Sequence, residues 1–219
     1  MKNLNLMKII GVMLIVATTS GCVTMRTNLT TFHGANHNER GSITVLPVSE
    51  SEKNSLAFKS HSEALMKKLI GAGYVATDNS SASQYVAFMT YGIDTGKTTT
   101  SVVPLYGQTG GGTSMTTGNI SNNFGRTYNF NSTTTQMPTY GVVGAMPVKR
   151  TEYLRELNID IYKMSEKPTK TYEIRAKSIG SCGNINAVVP AMIESVFKNF
   201  PGVSGKPISV EVEAKGIDC

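Results

Sequence analysis

The spacing of hydrophobic residues changes several times along this chain, and each change predicts an element. Over residues 42–48, Ile43 and Val45 alternate with Ser42 and Thr44, and after Leu46 Pro47 stops the run, which predicts a short strand. Over 55–70 the spacing lengthens. Leu65 and Leu69 lie one turn apart, with Leu56, Phe58, His61 and Ala72 on related faces. This predicts a helix that Asn54 or Ser55 can cap and Gly71 and Gly73 can end. Alternation returns over 85–93, with Tyr85, Ala87, Met89, Tyr91 and Ile93 on one side and Val86 and Phe88 on the other. Apolar residues on both sides predict a central strand.

The C-terminal part repeats this grammar. Residues 150–162 predict a strand with Tyr153, Leu157, Ile159 and Ile161 pointing one way after an irregularity near Leu154. Lys167-Pro168 marks a turn. Residues 171–179 form its hairpin partner, with Tyr172, Ile174 and Ala176 inward and Glu173, Arg175 and Lys177 outward. Val189, Met192, Ile193, Val196 and Phe197 make the stripe of a second helix over about 186–199, with Pro190 near its start. Ile208, Val210 and Val212 make a last strand. Strands joined by hairpins, with two helices among them, predict an α+β fold. The expected form is a two-layer sandwich, its mostly antiparallel sheet covered on one face by both helices. One such domain would span 42–214, after a polar tether over 22–41 that holds at most a short strand near Arg26 to Phe32, and before a tail over 215–219.

The stretch over 96–146 departs from this pattern. It is rich in Gly, Ser, Thr and Asn, and its charges are chiefly Lys97 and Arg126. Phe124, Tyr128 and Phe130 share one alternation, and threonine runs favour extended chain. Pro104-Leu105-Tyr106-Gly107 is echoed by Pro138-Thr139-Tyr140-Gly141. The two would lie opposite each other if the chain folds back around Gly110-Gly111-Gly112 or beyond. The expectation is a long, projecting Gly/Ser/Thr-rich hairpin inserted over 98–146. Its exposed aromatics, Tyr106, Tyr140, Phe124 and Tyr128, are the partner-binding candidates, because rigid rings give contact area at low entropic cost. The alternative is that Tyr106 and Tyr140 merely cap the sheet and stiffen the hairpin.

The N-terminus changes the picture most. Lys2 and Lys8 bracket a positive segment, an apolar run follows over 9–17, and small residues lead to Ser20-Gly21-Cys22. This is the layout of a secretory signal over 1–21. The run falls short of the about 20 residues that span a bilayer. Ser20-Gly21-Cys22 resembles the lipobox of bacterial lipoproteins, with Thr19 standing where that pattern normally has an apolar residue. The resemblance implies lipid on Cys22, cleavage before it, and acylation of the new amino terminus. Several chains on one residue anchor stably, since each buried methylene contributes ~0.8 kcal/mol. Val23, where an aspartate would imply retention in the inner membrane, implies the outer membrane with the domain facing the periplasm.

Charge and cysteines are then read in that compartment. The formal charge of +6 includes Lys2 and Lys8. Export argues against a nucleic-acid partner and leaves a basic face beside anionic lipid or envelope polymer, or a merely solvated surface. Of the three cysteines, Cys22 goes to lipid. Cys182 and Cys219 are an even pair in an oxidising space and are expected to form a disulfide, the alternative being two free thiols.

Several motifs in order resemble an uncharacterised family of bacterial envelope lipoproteins catalogued as domain of unknown function 4136. They are Thr31-Phe32-His33, Ile43-Thr44-Val45-Leu46-Pro47, Tyr91-Gly92-Ile93-Asp94, the two Pro-x-Tyr-Gly segments, Arg150-Thr151-Glu152-Tyr153, and Pro190-Ala191-Met192-Ile193 through Phe200-Pro201-Gly202. The resemblance spans nearly all of the chain after Cys22. It implies an envelope lipoprotein with an α/β domain and supplies no catalytic residues.

Chemistry-bearing motifs are weak by comparison. Gly92 to Thr98 has three residues between its glycines where a phosphate loop needs four, and a Thr run follows instead of a helix. His33, His37 and Glu39 fall short of a convincing zinc site, and no metal or cofactor is expected. There is no Gly-x-Ser-x-Gly elbow. Asp94 and Glu152 read as a strand-end residue and a cross-strand partner of Lys or Arg, or as a carboxylate pair. The expectation is a non-enzymatic structural or interaction module of the cell envelope, ahead of a small-ligand carrier or sensor and, further behind, a hydrolase. Intact mass of the mature protein checks the anchor: a chain starting at Cys22 and carrying acyl mass is expected, and an unmodified Cys22 would refute it.

Overall fold

The computed structural model describes residues 24–213 and Cys219. The expected signal segment over 1–21, Cys22 and most of the 215–219 tail lie outside the described residues. The chain forms β1 (Thr24–His33), β2 (Ser42–Pro47), α1 (Leu56–Gly71), β3 (Val75–Ala76), β4 (Tyr85–Ile93), β5 (Lys97–Ser121), β6 (Thr127–Lys163), β7 (Thr169–Gly180), α2 (Ile185–Phe197) and β8 (Ile208–Glu213). It divides into two compact units. One comprises residues up to Lys97 together with Glu152–Cys219, and the other is Thr98–Thr151.

The first unit is α+β. Its strands run in the order β3-β2-β4-β6-β7-β1-β8. Pairing is parallel at β2–β3 and β2–β4, and antiparallel at β4–β6, β6–β7, β7–β1 and β1–β8. The sheet is therefore mixed, which the expectation of a mostly antiparallel sheet did not resolve. The parallel part follows from α1, because a strand can return parallel only after a crossover.

Register brings like residues together. Ile43 lies beside Tyr85, Met89 beside Ile159, Ile159 beside Ile174, and Leu157 and Leu29 both beside Ala176. All are buried. They share a core with Phe58, Leu65 and Leu69 of α1 and Val188, Val189, Met192, Ile193 and Val196 of α2. The neighbouring register positions, such as Asp160, Glu173, Arg175 and Lys177, stay on the other, wetter face.

Helix ends follow their local chemistry. The Ser55 hydroxyl accepts the Phe58 amide at 3.3 Å and caps α1. Gly73, at φ +95°, ends it while its amide donates to the Ile70 carbonyl. Asn184 caps α2. Pro190 sits on that helix's exposed side, where the carbonyl it leaves without a partner can meet water.

Two expectations change. The tether is shorter than 22–41, because β1 occupies 24–33 as an interior strand between β7 and β8. Near Leu154 the pairing is regular, and the register shift lies instead between Ile161 and Tyr162. Cys182 and Cys219 are joined as a disulfide, with Cα atoms 5.2 Å apart across 37 residues. Closing a loop of that length contributes about 3–4 kcal/mol, chiefly by restricting the unfolded chain. Ile159→Ala should cost about 2–5 kcal/mol in a urea titration, since it empties a fully enclosed site. Val142→Ala, in the second unit and exposed, should stay within about 0.5 kcal/mol.

Candidate functional site

The second unit is a two-stranded ribbon made by β5 and the first part of β6, and no residue from 97 to 151 is buried. Asp94 organises the backbone where β4 gives way to β5. Its Oδ1 accepts the amides of Gly96 and Leu154, both at 3.0 Å, and its own amide donates to the Leu154 carbonyl. Asp94 is thus a strand-end residue held by backbone donors. Gly96, at φ +78°, then leads into a strand. A phosphate loop would need a helix there.

Hydroxyl pairs mark the ribbon's length. Thr98 meets Thr151 at 2.8 Å, Thr109 meets Thr139 at 3.3 Å, Thr113 meets Thr135 at 3.5 Å, and Ser121 meets Thr127 at 3.0 Å. Such cross-strand Thr and Ser pairs are a recognised source of sheet stability. The chain folds back at 122–126. The Asn122 amide donates to the Arg126 carbonyl, and the Asn122 side chain accepts the amides of Phe124 and Arg126. Gly110-Gly111-Gly112 is not the turn. Gly111 and Gly112 have positive φ inside β5, and a Cβ on Gly111 would fall 2.4 Å from the Met137 carbonyl oxygen. Gly111 thus admits close backbone approach within the strand.

The two Pro-x-Tyr-Gly motifs are staggered. Gly107 faces Val143, and Gly141 faces Thr109. Tyr106 and Tyr140 are each about three-quarters exposed, Phe124 at the turn is almost wholly exposed, and Tyr128 is more than half exposed. Phe130 lies over Gly118, where a Cβ would come within 2.5 Å of the ring. No Asp or Glu occurs from 98 to 151, and between Lys97 and Lys149 the one charged side chain is Arg126.

The other polar candidates have partners. The His33 and His37 rings stack at 3.9 Å, with His37 Nδ1 2.9 Å from the Gly34 carbonyl and His33 Nε2 3.3 Å from that of Gly202. Glu39 pairs with Lys163. Among the described residues no cluster of three His, Cys, Asp or Glu could hold a metal. His61 is a buried side chain between the helices. Its Nε2 lies 3.2 Å from Asn186 Oδ1, and its ring is edge-on to Tyr91.

The sequence reading missed Arg155. Its side chain is buried on the core face, Nη2 donates to the Ser178 hydroxyl at 3.2 Å, and among the described residues Nε has no partner. Burial pushes its guanidinium pKa down. The signal was an arginine at an inward position of the alternation, two residues before Leu157. The sheet's other face carries an ion network. Asp160 accepts from Arg175 at 2.6 Å and Lys170 at 3.0 Å, and Glu173 pairs with both.

No protein-family model matches the chain, and no curated protein matches it. Among solved structures the chain is similar to a PDZ domain protein from Parabacteroides distasonis ATCC 8503, at 10% identity and a TM-score of 0.42. The match covers 90% of this chain and 41% of that one, so this chain spans less than half of that protein's length. A likeness at that level assigns no activity or partner.

The ion network has a pH signature. Burial opposes the charged form of Asp160, but hydrogen bonds from Arg175 and Lys170 outweigh it and hold its carboxyl below the usual carboxylate range. A depressed folded-state pKa contributes stability above the unfolded value of about 3.9 and loses it as pH falls through the folded value. Asp160→Asn should therefore destabilise the protein near neutral pH, and the gap from wild type should close on acidification below about pH 4. Denaturant midpoints measured across pH would read this, and a gap that widens in acid would contradict it.

Proposed function

We propose that this protein is a lipid-anchored lipoprotein of the bacterial cell envelope, held through Cys22 on the periplasmic face of the outer membrane. It acts there as a non-enzymatic structural or interaction module. On this reading the first unit is a two-layer sandwich with both helices on one sheet face. The ribbon is a projecting hairpin that makes the contacts, with Tyr106, Tyr140, Phe124 and Tyr128 among its contact residues. The observation that carries the proposal is the ribbon itself, some fifty residues of paired strand over Thr98–Thr151 with nothing buried. An isolated two-stranded hairpin is marginal in water, and large exposed apolar surface commonly marks an interaction site. The lipobox-like Ser20-Gly21-Cys22 and the motifs that resemble those of envelope lipoproteins support this compartment.

Photo-crosslinking in intact cells from a probe placed at Tyr106 or Tyr140 is expected to capture a protein or envelope polymer. Deleting 98–146 should abolish that capture while the remaining unit keeps its cooperative unfolding. Probes that capture nothing in the native envelope would count against the proposal, as would probes on the first unit that capture the same species after the deletion.

A further inference from the structure

The ribbon's edges point to its partner. Among the described residues β5 has no neighbour but β6. β6 is flanked by β4 and β7 only over its last part, Tyr153–Lys163. Over Thr98–Thr151 each strand therefore has one paired side and one free side. At about 3.3 Å per residue each free edge runs on the order of 80 Å, with unpaired amides and carbonyls at alternate positions. Pro104, Pro138 and Pro147 each remove one donor and leave the rest. Natural sheets usually blunt such an edge with charge. Here Arg126, at the turn, is the only charge between Lys97 and Lys149.

We propose that the occupant of these edges is a second copy of this chain. The free edge of β5 on one copy pairs with the free edge of β6 on the next, and the copies close into a ring of ribbons. The proposal rests on the ribbon being the contact element and names its partner. A hairpin's two outer edges run antiparallel, so every copy carries the mate for both. Adding a copy leaves the same two edges at the ends, and only closure removes them. The missing charge fits a copy better than a different protein, because neutral edges do not repel themselves and offer a charged partner little to recognise.

The faces fit as well. Along β6 one alternation holds Tyr128, Phe130, Tyr140, Val142, Met146 and Val148 with Ser132, Thr134 and Gln136 among them, while the other is mostly polar, with Asn129, Asn131, Thr133, Thr135 and Thr139 beside Met137, Val143 and Ala145. A closed ring turns one of these faces inward and the other outward. In an isolated ribbon both stay wet.

The test uses the full lipidated chain in its own envelope. Two tagged forms are co-expressed, one Ser114→Cys on β5 and the other Thr134→Cys on β6, and treated with a short bifunctional thiol reagent. Both sites are exposed, and the native Cys182–Cys219 disulfide does not react. Mixed dimers joining the two tags are expected, absent when either form is expressed alone. Unsubstituted protein treated with an amine crosslinker should give a ladder above the dimer that is lost when 98–146 is deleted. Like-with-like products alone would replace the ring with a twofold pair and overturn the proposal. Capture of only a different envelope protein, or a monomer whose ribbon is shielded by lipid, would overturn it too. Capture of a different protein leaves the ribbon as a contact element, whereas a ribbon that crosslinks to nothing defeats both readings.

Discussion

The sheet of the first unit hangs on the last third of β6. Between Tyr153 and Lys163 that strand is held on both sides, by β4 and by β7, and its inward residues Leu157, Ile159 and Ile161 are fully enclosed. The two halves of the sheet, one parallel in character and one antiparallel, meet only across this strand. Burying three such side chains contributes several kcal/mol, on the order of the net stability of an ordinary domain. Among the described residues, the part of β6 that belongs to the second unit pairs with β5 alone.

The core face also accommodates polar atoms by pairing them. Thr27 Oγ1 meets Ser195 Oγ at 3.2 Å, and Ser195 also donates to the Ala191 carbonyl. Ser178 donates to the Arg26 carbonyl while accepting from Arg155. Unpaired, each would cost more than the bond returns when made. Among the described residues, Arg155 Nε, His61 Nδ1 and the Tyr74 hydroxyl have no hydrogen-bond partner inside the fold.

How much of this could be read from the chain varied with the physics. β4 was legible to the residue, since both its faces are covered: Tyr85, Ala87 and Met89 enter the core, while on the other face Val86 is buried and Phe88 packs against Tyr162. α1 was legible from the Phe58, His61, Leu65 and Leu69 spacing together with Ser55 before it. β1 was underestimated because two of its inward positions are Thr27 and Thr31, buried hydroxyls that read as polar tether. Only the tertiary partner Ser195 makes Thr27 a core residue. The ribbon's turn was harder to place, because three successive glycines outweigh a lone asparagine by propensity. What closes the turn is the Asn122 side chain capping two amides, an effect of its orientation rather than of composition. The pair of cysteines left once Cys22 is set aside for lipid made the disulfide legible, while a parallel β2–β4 pairing depends on which strands a crossover brings together and leaves no local mark.

The disulfide has a topological consequence. Cys182 stands just before the cap of α2, and Cys219 lies beyond β8, so the last helix and the sheet's edge strand both fall inside one covalent loop. A single cut in the exposed backbone between Phe197 and Ile208 would not release either element. The two pieces would stay tethered through sulfur, and the piece carrying β8 would remain attached beside β1 until a reductant opened the loop, whereas α2 stays joined to β7 by its own backbone.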